Sequence, residues 1–185
     1  YGIYSQGASA ANKNTGTVIN QNTVTATGRG GIWIGFDNGA TISGNRIENI
    51  TAASDCFGIT LGIGNSWGNT TTAGNEVVNA TVTNNVINNI VDNGTNSAAG
   101  ISLAEAVSGT TLIANNMIGG VAANGTASDF CAGILLGGGV GSTTNVYYNT
   151  VSMSGTITGG SAGTQQSVAL AVTAGTAPTL DLRNN

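Results

Sequence analysis

Histidine is absent from this chain, and charge is scarce: 6% of its 185 residues are Asp, Glu, Lys or Arg. The missing histidine removes the commonest acid–base group of enzymes. The cations are Lys13, Arg29, Arg46 and Arg183, and the net charge is −4, which leaves no basic footprint for nucleic acid or an anionic membrane surface. No apolar run approaches the roughly 18 residues that read as a membrane span, so no membrane insertion is expected. No Asp-Asp pair, phosphate-binding glycine loop, nucleophile elbow or zinc-ligand spacing occurs. No signal peptide is recognisable, and the chain opens on Tyr1 without an initiator Met, as expected of a mature or excised piece of something longer.

What the chain has instead is glycine, 30 of them against one proline, with no G-X-Y period to suggest collagen. Hydrophobic residues make up 40%, so Asn, Thr, Ser and Gly must supply solubility. Low charge can accompany disorder, but Ile, Val and Leu recur too regularly for that. The length fits a single domain over 1–185.

Two motifs alternate along the chain. The first, Gly-Ile-x-Φ (Φ an apolar residue), begins at Gly2, Gly31, Gly58, Gly100 and Gly133, with Ser167-Val168-Ala169-Leu170 as a degenerate sixth copy. The second, Φ-x-x-Asn-x-Φ, runs from Ile19 to Val24, Ile42 to Ile47, Val82 to Ile87, Ile113 to Ile118 and Val146 to Val151, and Leu182 to Asn185 starts another copy. Inward residues two apart, such as Ile32 and Ile34 or Ile59 and Leu61, mark short strands. Strands this short cannot bury a face alone, so stacked copies must share one core. The pattern predicts an all-β fold, a right-handed parallel β-helix solenoid of about six coils.

Spacing adds detail. From each motif Asn to the next first motif the gap grows through 9, 13, 15, 17 and 18 residues, so one side should widen towards the C-terminus. Gly58 to Asn85 takes 27 residues against 14 to 20 elsewhere, which predicts a projecting loop at 62–77. Asn22, Asn45, Asn85, Asn116 and Asn149 share one phase and should form an internal ladder, each side-chain amide offering both a donor and acceptors. Asn also tolerates the left-handed backbone of a sharp turn. Cys56 and Cys131 share a phase too, with Ala98 between them. Two strand spacings, about 10 Å, exceed the reach of a disulfide, so two free thiols are expected.

These repeats resemble those of the pectin-lyase-like superfamily of parallel β-helices across nearly the whole chain. Tyr147 to Gly155 and Pro178 to Asn185 are similar to repeats of large secreted bacterial surface proteins, including those exported by the type IX pathway. The resemblance implies a fragment of a long extracellular or cell-surface polypeptide. Enzymes of that superfamily cleave acidic polysaccharides with clustered carboxylates and a basic residue or histidine. Here Asp55 and Asp129 each precede a Gly-Ile motif, two coils apart, and are expected to be turn residues bonding local backbone amides.

In the first motif the x residue should face solvent, a column of Tyr4, Trp33, Thr60, Ser102, Leu135 and Ala169. Tyr4 and Trp33 should lie side by side, with Phe36 and Trp67 near enough to extend a patch for a glycan or a partner. The Thr-x-Thr pairs at Thr23, Thr81 and Thr156 do not share a phase, which argues against an ice-facing lattice. The expected function is a structural or adhesive solenoid, a rigid spacer or fibre-forming module. The alternatives are a carbohydrate-binding module and a degenerate polysaccharide lyase or hydrolase. No cofactor, catalytic residue or metal ligand set is expected. Axial self-association or continuation into further repeats is expected from both ends.

Overall fold

Alternating inward Ile, Val and Leu with outward polar residues produces short strands, and each strand pairs with its equivalent one repeat away. A computed structural model describes residues 1–62, 77–104, 108–125, 129–137, 139–153, 166–172 and 178–185. Among the described residues every regular element is a strand. The first repeat holds β1 (Ile3–Gln6), β2 (Asn14–Thr15), β3 (Val18–Asn20) and β4 (Thr23–Thr25). The second holds β5 (Gly30–Gly35), β6 (Asp37–Asn38), β7 (Thr41–Ser43) and β8 (Arg46–Ala52). The third holds β9 (Cys56–Leu61), β10 (Val77–Val78), β11 (Thr81–Thr83) and β12 (Val86–Asp92). Then come β13 (Ala98–Leu103), β14 (Thr110–Ala114) and β15 (Met117–Ala122), followed by β16 (Phe130–Leu136), β17 (Thr143–Tyr147) and β18 (Thr150–Ser152), and last β19 (Gln166–Val172) and β20 (Thr179–Arg183).

Like strands stack. The first sheet runs β1-β5-β9-β13-β16-β19, a short second one β2-β6-β10, the third β3-β7-β11-β14-β17-β20, and the fourth β4-β8-β12-β15-β18. Every pairing is parallel, as in β9 with β13 and β8 with β12. The chain is therefore a parallel β-helix, an all-β solenoid with its core inside the wall. Ile32, Ile59, Ile101 and Ile134 of the first sheet meet Ile42, Val82, Ile113 and Val146 of the third and Ile47, Ile87 and Ile118 of the fourth in one buried cluster. Each fully buried side chain of this size stabilises the fold by about 1.5–3 kcal/mol.

The two motifs interlock at the glycine. A Cβ on Gly58 would lie 2.6 Å from Ile87 Cγ2 and 2.5 Å from the Gly100 carbonyl oxygen. Gly2, Gly31, Gly100 and Gly133 meet the matching residues Val24, Ile47, Ile118 and Val151 in the same way. The first motif thus keeps glycine because the last Φ of the second occupies the space of its side chain.

The asparagine ladder is continuous. Asn22, Asn45, Asn85, Asn116 and Asn149 each donate both the backbone N–H and Nδ2–H to Oδ1 of the next rung, at 2.9–3.1 Å, and Asn185 supplies a sixth rung. From Asn45 onwards the second Nδ2 proton goes to a carbonyl of the preceding repeat, as from Asn85 to Ile42 and from Asn116 to Val82, while that of Asn22 goes to the Asn20 carbonyl. Rungs 45, 85, 116 and 149 are buried, so this saturation satisfies groups that water does not reach.

Two expectations are corrected. The left-handed corner residue is not the ladder Asn but the one before it: Gln21, Gly44, Asn84, Asn115, Tyr148 and Asn184 all have φ of 51–64°. The ladder side chain turns inward while its predecessor makes the turn. In β19, Ala132 pairs with Val168 and Ile134 with Leu170, so Ala169 and not Ser167 holds the glycine position. The last gap on the widening side is then 20 residues, from Asn149 to Ala169. Of the predicted loop at 62–77, Gly62 and Val77 belong to the wall, Val77 in β10, and 63–76 lie outside the described residues.

Candidate functional site

The outer face of the first sheet carries the aromatic residues. Tyr4 pairs with Trp33 in register, their ring centroids 4.8 Å apart and their planes at 71°. Tyr1, which no repeat position marks, completes a trio at 5.7 Å from Tyr4 and 5.0 Å from Trp33. Tyr1 and Tyr4 are 48% and 49% exposed, and Trp33 is half-buried, its Nε1–H donating to the Gly62 carbonyl at 2.8 Å. Tyr4 and Trp33 pack edge against face, Tyr1 is tilted against both, and the three rings share no common plane. They form a small amphipathic knob, apolar in body and polar at the Tyr hydroxyls. Phe36 sits at the corner after β5 in the left-handed region, with its carbonyl accepting from Asn14 N–H, and no described ring contact joins it to the trio. Trp67 lies outside the described residues.

Beyond the second repeat the solvent-facing column ends. Thr60, Ser102 and Leu135 are buried, against expectation. Leu135 belongs to a second apolar layer on the outer face of the same sheet, with Phe57, Ala99 and Ala132, flanked by Phe130, Val168 and Ala171. Strands β9, β13 and β16 are buried on both faces, which parallel sheets permit and which makes them read as nearly continuous apolar runs.

The carboxylates gather at the corner leading into the first sheet. Asp55 Oδ1 accepts the Ser97 N–H at 2.9 Å, and Ser97 Oγ–H donates to Asp129 Oδ1 at 3.1 Å. Ser97 thus links two carboxylates from different repeats, a bridge between coils rather than the local turn bonding the sequence suggests. Arg29 approaches Asp55 at 4.0 Å. Burial raises the Asp55 carboxyl above its ordinary value, outweighing the lowering by the Ser97 N–H and Arg29. The neighbouring Asp92 is buried and spends both oxygens on its own loop, accepting from Gly94 N–H at 2.8 Å and Asn96 N–H at 2.6 Å. This arrangement staples successive coils.

Cys56 and Cys131 are free and buried, each in register with Ala98. Their thiols point to carbonyls of the preceding strand, Cys56 to Ile50 and Cys131 to Val121, both at 3.4 Å. Burial pushes the Cys56 thiol up to about 12 and raises Cys131 as well, so both stay protonated at neutral pH. Arg46 and Arg183 pair with Glu48 and Asp181, and Lys13 donates to the Ala10 carbonyl. Among the described residues no group of three His, Cys, Asp or Glu side chains is placed to hold a metal. No helix is long and apolar enough to cross a membrane among them.

These features define a class, the parallel β-helix solenoids, by geometry alone. No family model, curated protein or solved structure matches the chain.

Proposed function

We propose that the chain is a rigid structural or adhesive module of an extracellular or cell-surface polypeptide. The observation that carries this reading is the amide ladder, saturated from Asn22 to Asn185 beside one continuous core. Such a wall resists separation of its coils, because opening one rung exposes several buried donors together. The charge-poor surface of amides and hydroxyls suits a spacer or a neutral contact. The resemblance to pectin-lyase-like repeats and to repeats of large secreted bacterial surface proteins supports the location. A parallel ladder is also translationally repetitive, so a further coil, of the same polypeptide or of a second copy, would meet the same pattern.

The test is mechanical. Held by its two ends in a force spectrometer, the chain is expected to resist as a cooperative unit and to yield at clearly lower force when Asn85→Ala breaks the ladder. Release of soluble sugars from an acidic polysaccharide, lost in Asp55→Asn, would overturn the proposal in favour of a lyase or hydrolase. The exposed Tyr1, Tyr4 and Trp33 knob favours a second reading, a contact for neutral glycans. Binding on a glycan array that is unchanged by Trp33→Ala removes it.

A further inference from the structure

Asp37 is the anomaly of the interior. It is 0% exposed, Oδ2 accepts from the Thr17 hydroxyl, and Oδ1 has no hydrogen-bond partner among the described residues. A buried carboxylate oxygen left without a partner forfeits its hydration for nothing, so such an atom calls for an explanation.

Its surroundings offer one. Ser5 stands in register with Ile34, which pairs in turn with Leu61, while β13 and β16 continue that column with Leu103 and Leu136. Asn14 and Asp37 share a column whose third member is Val77. Thr17 holds the position of Ala40 and Ala80, since each gives its carbonyl to an N–H of the next repeat's third-sheet strand, from Thr41, Thr81 and Leu112 in turn. At the same end of the solenoid, therefore, Ser5 and Thr17 bring hydroxyls into columns that are apolar further along, Thr17 bonds the Asp37 carboxylate, and Asn14 stands in register beside it. Asn14 Nδ2 donates to Ser5 Oγ at 3.4 Å, which binds two of these residues to one another. Ser5, Asn14 and Thr17 are only half-buried, so this polar cluster borders on solvent.

We infer that this cluster is a cation site, with Asp37 as its charged ligand, and that the cation is calcium. Hydroxyl, amide and carboxylate oxygens are the donors a hard cation selects, and they offer nothing to softer metals. Calcium accepts mixed, irregular oxygen sets completed by water, whereas magnesium demands near-octahedral geometry. With one carboxylate the affinity is low, with Kd of about 10⁻⁴ to 10⁻³ M, the range of extracellular calcium modules. Bound calcium ties the first repeat to the second at a point where the apolar core gives way to polar side chains. The site lies inside the wall, away from the Asp55–Ser97–Asp129 corner.

The test is calcium binding by the purified chain, read by equilibrium dialysis and by thermal melting at constant ionic strength. One calcium per chain and a Tm that rises with calcium are expected. Asp37→Asn should keep the β-sheet circular dichroism and lose both effects, Thr17→Val should weaken binding, and Asp55→Asn should bind as the wild type does. The inference is overturned if the wild type takes up no calcium at about ten times the expected Kd. It is equally overturned if Asp37→Asn binds undiminished, or if sodium at equal ionic strength gives the same rise in Tm.

Discussion

Truncating Asn85 to Ala tests the ladder where the structure makes it most costly. Asn85 Oδ1 accepts the backbone N–H and an Nδ2 proton of Asn45, both at 3.0 Å, and Asn45 is 1% exposed. The substitution orphans two buried donors. At about 1–3 kcal/mol for each, the loss is about 2–6 kcal/mol. Asn116 Oδ1 keeps a partner, because the backbone N–H of residue 85 still donates to it. Asn22→Ala is the matched control. Asn45 Oδ1 would retain the Asn22 N–H at 2.9 Å, and no buried donor is stranded, so about 1 kcal/mol or less is expected. The assay is urea unfolding of both variants, with hydrogen exchange to locate the damage. Solenoid stability is largely a nearest-neighbour property, so loss of protection should centre on β7, β11 and β14. An interior loss no larger than that of Asn22→Ala would refute the reasoning, since the ladder would then be ornament on a core that holds itself.

Three further outcomes follow from the same geometry. Gly58→Ala should destabilise by about 1–3 kcal/mol or more through overlap with Ile87 and the Gly100 carbonyl, whereas Gly28→Ala, with nothing within 4 Å, should be neutral or gain about 0.4–1 kcal/mol; equal unfolding midpoints would contradict the interlock. Cys56, raised from 9.0 to about 12, should react with a disulfide reagent at pH 8 roughly a thousandfold more slowly in the native than in the unfolded chain, and rapid native labelling would show that the thiol is not sealed in the core. The folded chain holds the Asp55 proton more tightly than the unfolded one, so acidification stabilises through this group as pH falls past its raised value, with the gain complete below 3.8. Asp181, held low by Arg183 and Tyr147, acts in the opposite sense, so the readout is the difference in Tm against pH between wild type and Asp55→Asn; identical profiles would sink the assignment.

The features legible in the sequence are those that repeat one chemical requirement. An amide in every ladder rung and a glycine against every Val24-type side chain leave fixed letters at fixed phase, and the Cys56–Ala98–Cys131 column follows from the same phase. The left-handed corner leaves no such mark, since its constraint is on the backbone and Gln, Gly, Asn and Tyr all fill it. The β19 register was ambiguous for a different reason: a slip of two residues keeps every side chain on its own face, so alternation cannot tell Ser167 from Ala169. The outer layer at Phe57 and Leu135 and the pairing of Asp55 and Asp129 through Ser97 are contacts between distant repeats. The oxygens around Asp37 come from positions that look like isolated exceptions to their columns. Only their convergence in space makes them a candidate site.

The ladder also has a direction. In every rung Oδ1 faces the preceding repeat and receives its donors, so the side-chain carbonyl dipoles point the same way from Asn45 to Asn185. Hydrogen-bonded amides in line polarise one another, each bond strengthening the next, whereas the strand dipoles of a sheet leave only a small net moment. The solenoid is thus electrically asymmetric along its axis despite its few charges, and each added coil lengthens that dipole without adding an ion.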